Sequence, residues 1–328
     1  MKLEMKMESR FFHIIYCKVS KLVRRVGNRI EWEKIRFRFF RIRRLRNKIQ
    51  VRDSYKTIEH IIENHCSVSR YGDGEFDMII QLITDDKLPA ISGFQTYDKQ
   101  LAIRLKEIVE ATVYDDSKHI VCVPFWYRAN NVKVYKAGVQ RFCKRYICDN
   151  LYYILSIINT NRIYYNANIS RFYLSYKDKS HCPNYVKMIK QIWDERDICF
   201  VEGEYSRMGV GNDLFDNAKS IKRILCPSKD AFSKYGDIMN AIRHTIDKAD
   251  LLILAVGHTA TVLAYDLSEE GYQAIDLGHI DVEYEWMLQN ANEKIPLKNK
   301  YVNEVEDGAV CVSCNDSEYK DQIVAKVI

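Results

Sequence analysis

Apolar runs and amphipathic stretches alternate along most of the chain, and each pattern predicts a different element. Apolar residues that recur every three or four positions predict helices at 54–65, 97–111, 132–155, 184–195, 235–249 and 258–271. Short apolar runs predict strands at 119–125, 197–204, 220–228, 250–257 and 272–278. Because these elements follow one another with short links, the sequence predicts an α/β fold, with a Rossmann-like, open, mostly parallel sheet covered by helices on both faces.

The first fifty residues carry a different pattern and most of the positive charge. Residues 10–48 place Phe, Ile, Leu and Val at helical spacing among many arginines, which predicts one or two basic amphipathic helices. Residues 1–52 hold 17 Lys or Arg and 4 Glu, a formal charge of +13, which leaves −7 on residues 53–328 out of the total of +6. Such an arm could bind an anionic membrane surface, or it could dock on the protein itself or on another subunit. The acidic remainder argues against a nucleic-acid partner.

Cysteine usage and hydropathy predict a cytoplasmic protein. The ten cysteines have no regular spacing, the N-terminus lacks a signal-peptide pattern, and no run of 18 apolar residues is present. We therefore expect free thiols in a reducing cytoplasm, with the inner face of the membrane as the place where the arm would bind.

The stretch 201–220, VEGEYSRMGVGNDLFDNAKS, follows a predicted strand and combines carboxylates, an arginine and glycines. Gly209 and Gly211 would let the backbone approach a ligand and offer N–H groups to phosphate oxygens, with Asn212 beside them. Arg207 could pair with a phosphate, and Glu204 is a candidate general base. An ordinary glycine-bearing surface loop is the alternative.

A second candidate is LAVGHTATVLAYDL at 254–267, where a predicted buried strand ends at Gly257 and a helix opens near Thr259. A helix N-terminus presents unpaired N–H groups, which suit a phosphate or diphosphate. A plain Thr N-cap is the alternative. His258 lies at the tip of this turn, where a single histidine is more often structural or exposed than catalytic.

A third candidate, IDLGHIDVEYEWML at 275–288, follows the next predicted strand. Asp281 and Glu283 would lie on one face of an extended segment and could supply a general base or metal ligands. A solvated acidic helix start is the alternative.

The stretch SRYGDGEF at 69–76 places two carboxylates, Asp73 and Glu75, on either side of a glycine. Carboxylate oxygens are ligands that Mg²⁺ and Mn²⁺ prefer, and Gly74 leaves room for both to approach one ion. Arg70 and Gly72 lie just upstream, where they could meet a diphosphate. An Asp-Gly turn before a helix is the alternative for the triplet alone.

Together with ISRFYLSY at 169–176, these four stretches, two of them extended to 201–232 and 271–288, resemble a bacterial glycosyltransferase family with the GT-D fold. The resemblance covers roughly residues 53–305, so we divide the chain into a basic helical arm (1–50), a GT-D-type domain (51–305) and a tail (306–328). It implies a metal-assisted sugar transfer with an acidic D-x-E motif and, often, a UDP-sugar donor. Asp73-Gly-Glu75 is assigned to the metal, and Asp281-Val-Glu283 is placed nearer the acceptor. The family usually has a proline at the strand tip where this chain has His258.

The expected activity is that of a metal-dependent glycosyltransferase using Mn²⁺ or Mg²⁺. It would move a sugar from a nucleotide-sugar donor to a lipid-linked or protein-linked glycan during bacterial surface polysaccharide or glycoprotein glycan assembly. Two other functions remain open: hydrolysis of a nucleotide sugar at the same site, and a non-catalytic scaffold that binds a nucleotide sugar at the membrane.

Overall fold

The computed structural model of the protein describes residues 27–84, 95–111, 115–128, 130–298, 300–302, 304–305, 308 and 314–328. These residues form one nine-stranded sheet, and every pair of neighbouring strands is parallel. The strands are β1 Gln50–Val51, β2 Ser67–Arg70, β3 His119–Val123, β4 Ile163–Asn166, β5 Asp197–Gly203, β6 Ser220–Cys226, β7 Leu251–Ala255, β8 Gln273–Asp276 and β9 Ile323–Lys326. Their order across the sheet is β1-β4-β3-β2-β8-β7-β5-β6-β9.

Helices connect the strands and cover the sheet. Helical residues 27–41 are named α1. The other helices are α2 Arg43–Arg46, α3 Ser54–Asn64, α4 Asp73–Thr84, α5 Lys99–Glu110, α6 Ala137–Ile157, α7 Cys182–Ile189, α8 Tyr235–Thr245, α9 Thr259–Glu269, α10 Ile280–Leu288 and α11 Ser317–Asp321.

Both faces of the sheet are buried, as the continuous apolar runs predict. Consecutive residues of β7 alternate between two apolar layers. Leu251 and Ile253 pack in the layer that contains Trp193, and Leu252 and Leu254 pack in the opposite layer with residues of α8 and α9. The prediction of a parallel α/β sheet with helices on both faces is therefore confirmed.

Strand β2 was not predicted, because its sequence, SVSR, is too polar to suggest a central strand. Its two serines are buried, and their hydroxyl groups are satisfied by backbone carbonyls of neighbouring segments. Ser67 Oγ donates to Tyr272 O at 3.2 Å, and Ser69 Oγ donates to Thr261 O at 2.6 Å. Tertiary hydrogen bonds thus offset the cost of burying these polar groups.

The C-terminal segment that we assigned to a tail contributes to the sheet. Residues Ile323–Lys326 form β9, the edge strand beside β6. The sheet therefore extends past residue 305. The eight cysteines among the described residues are free, in agreement with the expected thiols.

The described part of the basic arm packs on α6. Arg38 donates to Cys148 O at 2.7 Å and pairs with Asp149 at 3.2 Å, while Arg145 of α6 pairs with Glu31 at 2.7 Å. The docking alternative thus holds for one face of α1, and residues 1–26 lie outside the described residues. Within the described ranges, no helix has the length and apolar character needed to cross a bilayer.

Candidate active site

A cavity of about 520 Å³ opens at the carboxyl ends of the central strands. Parallel α/β sheets bind ligands at this edge. Loops that follow β2, β3, β5, β7 and β8 surround the cavity, and its lining includes Arg70, Gly72, Asp73, Glu75, Trp126, Arg171, Gly203, Ser206, Gly257, His258, His279, Asp281 and Glu304. The structure therefore brings the DGE stretch, the strand tip at 257 and Asp281 to one site.

The DGE triplet forms the first turn of α4. Asp73 opens the helix, and Glu75 reaches back so that its Oε2 accepts from the Gly72 N–H at 2.7 Å. This is the capping interaction that satisfies an otherwise unpaired donor at a helix start. Because Glu75 uses one oxygen for the cap, only its Oε1 points toward the rest of the site, 3.8 Å from His258 Nε2.

Negative charge is concentrated in this turn. The protein around Asp73 displaces water and raises the pKa of its carboxyl, and the nearby Glu75 charge adds to the effect. Burial likewise raises the pKa of Asp77, one turn along α4, to about 6, although Tyr146 donates to its Oδ1 at 2.8 Å. Desolvation by the surrounding protein is the main cause of both shifts, and the neighbouring carboxylates add a smaller contribution that a bound cation would offset.

The residues present fit a divalent metal only if the substrate completes its coordination. Among the described residues, no group of three or more His, Cys, Asp or Glu side chains has an arrangement that would hold a metal. Mg²⁺ commonly takes one or two protein carboxylates and fills its remaining positions with substrate phosphates and water. Asp73 and the Oε1 atom of Glu75 suit that mode, and the metal stays a prediction.

Arg70 holds the strand ends together at the wall of the cavity. Its Nε and Nη2 donate to the backbone oxygen and to Oδ1 of Asp276, at 2.7 and 2.8 Å. Its Nη1 donates to Ala167 O and Ser170 Oγ, at 3.0 and 2.7 Å. Since most of its donors serve these contacts, the geometry favours a scaffold role for Arg70 over the predicted diphosphate contact.

Asp281 lies at the cavity but is buried and saturated with donors. Its Oδ1 accepts from Gly209 N at 3.0 Å and from Asn212 Nδ2 at 2.8 Å. Its Oδ2 accepts from Lys300 Nζ at 2.6 Å. The first two contacts hold the glycine loop against α10. The N–H groups of Gly209 and Asn212, which we predicted would bind phosphate, therefore donate to a protein carboxylate instead.

Glu283, two residues further along α10, is buried and anchors a neighbouring loop. Its Oε2 accepts from Tyr173 N at 3.0 Å and from Leu174 N at 2.8 Å. The residue does not line the cavity. Its geometry therefore favours a structural role over the predicted catalytic one.

The other predicted residues of the 201–220 stretch lie at varied depths. Glu204 is half-buried directly after β5, between the cavity-lining Gly203 and Ser206. Arg207 is buried, and its guanidinium lies 5.9 Å from the Tyr205 ring centroid. Gly211 has a φ of +83°, a conformation that favours glycine.

The strand tip at 257 carries polar side-chain atoms that have no hydrogen-bond partner among the described residues. Gly257 turns the chain with a φ of +59°, and α9 starts at Thr259. His258 is 5% exposed, and neither of its ring nitrogens nor Thr259 Oγ has a hydrogen-bond partner within that part of the chain. Such orphaned groups at a helix N-terminus suit an anionic ligand.

Residues 68–305 match the family model described as glycosyltransferase GT-D fold. The chain belongs to this family. It is 37% identical over 280 residues to a probable glycosyl transferase Gly of Streptococcus gordonii, and 34% identical over 288 residues to the glycosyltransferase GlyD of Streptococcus pneumoniae serotype 4. Each match covers 85% of this chain but only 39% and 33% of those relatives, respectively, so the chain spans between a third and two fifths of their length.

Solved structures of GT-D domains share the fold. One, described as a domain of unknown function 1792 with a distinct glycosyltransferase fold, is 38% identical, has a TM-score of 0.78, and is matched over 88% of this chain and 99% of its own. Another, a glycosyltransferase from Streptococcus sanguinis, is 36% identical with a TM-score of 0.77, over 85% of this chain and 100% of its own. The prediction of the GT-D glycosyltransferase family is thereby confirmed.

The GT-D cavity also contains a charged group that sequence reasoning missed. Glu304 pairs with Arg171 at 2.6 Å, with Lys294 at 2.5 Å and with His279 at 3.2 Å. The charge of Arg171 holds the pKa of Glu304 well below its usual range. Burial lowers the pKa of His279 to about 4, so this residue is neutral near pH 7. These residues come from three distant segments, so no local spacing signals their meeting. Arg171 is also close enough to lower the pKa of Asp73.

Proposed function

We propose that this GT-D domain transfers a sugar from a nucleotide-sugar donor, a UDP-sugar by family resemblance, to a hydroxyl group of a glycan. The acceptor would be a lipid-linked or protein-linked glycan in bacterial surface polysaccharide or glycoprotein assembly. The observation that carries the proposal is the cavity in which the acidic start of α4 faces the N-terminus of α9.

The starts of α4 and α9 would bind different parts of the donor. Asp73 and Glu75 would hold Mn²⁺ or Mg²⁺, and that ion, when bound, offsets charge on the departing nucleotide diphosphate. Gly257 brings the N–H groups at the start of α9 to the other side, where they would donate to phosphate oxygens. Arg171 lines the same cavity, pairs with Glu304 and brings a positive charge close enough to act on Asp73.

The acceptor hydroxyl must lose a proton if transfer inverts the anomeric carbon. Glu204 and Asp281 are the predicted bases. Asp281 accepts from three protein donors, which engage both of its oxygens. Glu204 is half-buried between the cavity-lining Gly203 and Ser206, and although it is not itself part of the lining, we keep it as the alternative base.

The test is release of nucleotide from a panel of UDP-, GDP- and dTDP-sugars with Mn²⁺, for the wild type and for Asp73→Ala. We expect release from one donor and its loss in the variant, while Asp115→Ala, at the opposite end of the sheet, should behave as the wild type. Release that Asp73→Ala leaves unchanged would reject the metal assignment.

The same assay separates the two alternatives. A hydrolase would turn over at the same rate with and without a glycan acceptor, and a scaffold would bind the donor without releasing nucleotide. A rate that rises on addition of acceptor, with the sugar recovered on that acceptor, supports transfer over both.

A further inference from the structure

The two faces of α1 have different surroundings. The inward face is held against the domain: Ile35 is buried, and Lys144 of α6 lies 5.5 Å from the Trp32 ring centroid and 5.6 Å from that of Phe39. These contacts fix the rotation of the helix about its axis. The residues on its other face are therefore presented outward in a defined array.

That outward face combines large apolar side chains with basic ones. Ile30, Phe37 and Phe40 are 54%, 63% and 70% exposed. Positions three, four and seven apart share one side of a helix, so the same side carries exposed basic residues in α1 and α2, namely Lys34, Arg41 and Arg44. We name these six residues the outward face.

The charge of this segment is strongly positive. Residues 27–49 contain nine Lys or Arg and two Glu, a formal charge of +7. Two of the basic residues, Arg38 and Arg46, turn inward to contact the domain, and both acidic residues are already paired with arginines. The charge that remains outward is positive and interleaved with phenylalanines, the composition of helices that lie in the interface of anionic bilayers.

The arm is joined to the wall of the cavity. Arg46 is buried, and its guanidinium donates to Trp126 O at 3.3 Å, Tyr127 O at 3.2 Å and Arg128 O at 3.0 Å. Trp126 lines the cavity. A membrane surface bound by the arm would thus lie on the side of the domain where Trp126 lines the cavity.

We propose that the outward face binds an anionic lipid bilayer and holds the cavity next to it, so that the acceptor is a glycan carried by a membrane lipid. The identity of the acceptor rests on the proposed function, whereas the binding of the bilayer does not. Phenylalanines would enter the interface and arginines would meet lipid phosphates.

The first experiment is co-sedimentation of the full chain with vesicles of phosphatidylcholine, with and without 30 mol% phosphatidylglycerol. We expect binding only to the anionic vesicles, weakened by salt. Arg41→Gln with Arg44→Gln should lower the partition coefficient about 25-fold, at about fivefold for each charge. Phe37→Ser with Phe40→Ser should lower it about tenfold or more.

Matched controls lie on other surfaces of the molecule. Lys320→Gln with Lys326→Gln removes two exposed charges near the β9 edge, and Leu288→Ser with Ile328→Ser removes two apolar side chains that are 49% and 59% exposed. Both pairs should bind as the wild type does. Equal loss in these controls, or unchanged binding in the outward-face variants, would overturn the proposal. Binding that needs the arginines but not the phenylalanines, and that duplex DNA supports equally, would overturn it in favour of a nucleic acid.

The second experiment tests the acceptor with a labelled nucleotide sugar and a bacterial lipid extract in the anionic vesicles. Label should pass into the organic phase, at least tenfold more slowly with Phe37→Ser and Phe40→Ser. Release of nucleotide to water should be the same in all these variants.

The outcomes separate the two proposals. Failure of vesicle binding with intact nucleotide release rejects the bilayer proposal alone. Vesicle binding without any nucleotide release rejects the proposed function alone. Vesicle binding with nucleotide release but no labelled lipid rejects a lipid-borne acceptor.

Discussion

Two D-x-E motifs open two helices at the same cavity, and their environments are opposite. Asp73-Gly-Glu75 starts α4, and Asp281-Val-Glu283 starts α10. The second pair is buried and accepts hydrogen bonds from five protein donors. In the first pair, Glu75 accepts one bond from Gly72, and burial raises the pKa of Asp73.

This difference shows that the spacing of two carboxylates does not decide their role. A carboxylate whose oxygens are satisfied by protein donors stabilises the fold and gains little from a ligand. A carboxylate placed beside another, with few donors, gains from a bound cation. The surroundings therefore favour the first motif as the functional one and the second as the structural one, and each variant below tests one side of that contrast.

The largest expected effect concerns stability at the second motif. Asp281→Ala would remove the partner of Lys300 at 2.6 Å and leave this residue, which is 4% exposed, with Glu285 at 3.3 Å. Removing one member of a buried ion pair costs about 3–5 kcal/mol, and because Glu285 remains, we expect the free energy of unfolding to fall by about 3 kcal/mol, the lower end of that range. Urea unfolding followed by circular dichroism measures it. Asp73→Ala is the control and should change stability by less than about 1 kcal/mol, and equal losses in the two variants would contradict the contrast.

The next effect concerns activity at the first motif. Asp73→Asn should lower nucleotide release about 10²–10³-fold, because the amide does not offset charge on the metal and diphosphate as the carboxylate does. Stability should not fall, since Asp73 is exposed and its raised pKa means that the folded protein disfavours the charged carboxyl. The measurement is the rate of release beside the urea midpoint of the same preparation. If activity falls only in proportion to the folded fraction, Asp73 is not part of the donor site.

Apolar patterning predicted most of the fold, because strands buried on both faces leave a continuous apolar run such as 250–257. It missed β2, where Ser67 and Ser69 depend on hydrogen bonds to Tyr272 and Thr261, residues about 200 positions away. The polar stretches at strand ends located the cavity because parallel strands end at one edge. Sequence could not separate the two D-x-E motifs, since the partners of Asp281 and Glu283 come from distant loops.

The middle residue of the first motif, Gly74, has no room for a side chain. A Cβ at Gly74 would lie 2.4 Å from His258 Nε2, so Gly74→Ala forces the buried histidine to move. Such overpacking costs about 1–3 kcal/mol. A double-mutant cycle with His258→Ala checks the cause, because the penalty should largely disappear when the ring is absent. Gly138→Ala, where a Cβ meets nothing within 4 Å, is the matched control. A penalty that persists without the ring would place the strain in the backbone of α4.

The smallest effect is a pH dependence from His279, two residues before the second motif. Burial lowers its pKa to about 4, and the charge of Arg171 acts in the same direction. An unfolded chain takes up this proton near pH 6.5, so the contribution of His279 to stability is present above about pH 6.5 and is lost as the pH falls toward 4. The full pKa difference would correspond to about 3 kcal/mol. Because Glu304 lies 3.2 Å from the ring and favours its protonated form, we expect the free energy of unfolding of the wild type to fall by about 1–2 kcal/mol more than that of His279→Gln across this interval. Exposed His244, replaced by Gln, should leave the curve unchanged. The result that would contradict this prediction is the same change in unfolding free energy with pH for the wild type and for His279→Gln. That result would mean that His279 takes up a proton as easily in the folded protein as in the unfolded chain. The surroundings of the second motif would then be more hydrated than its hydrogen bonds indicate.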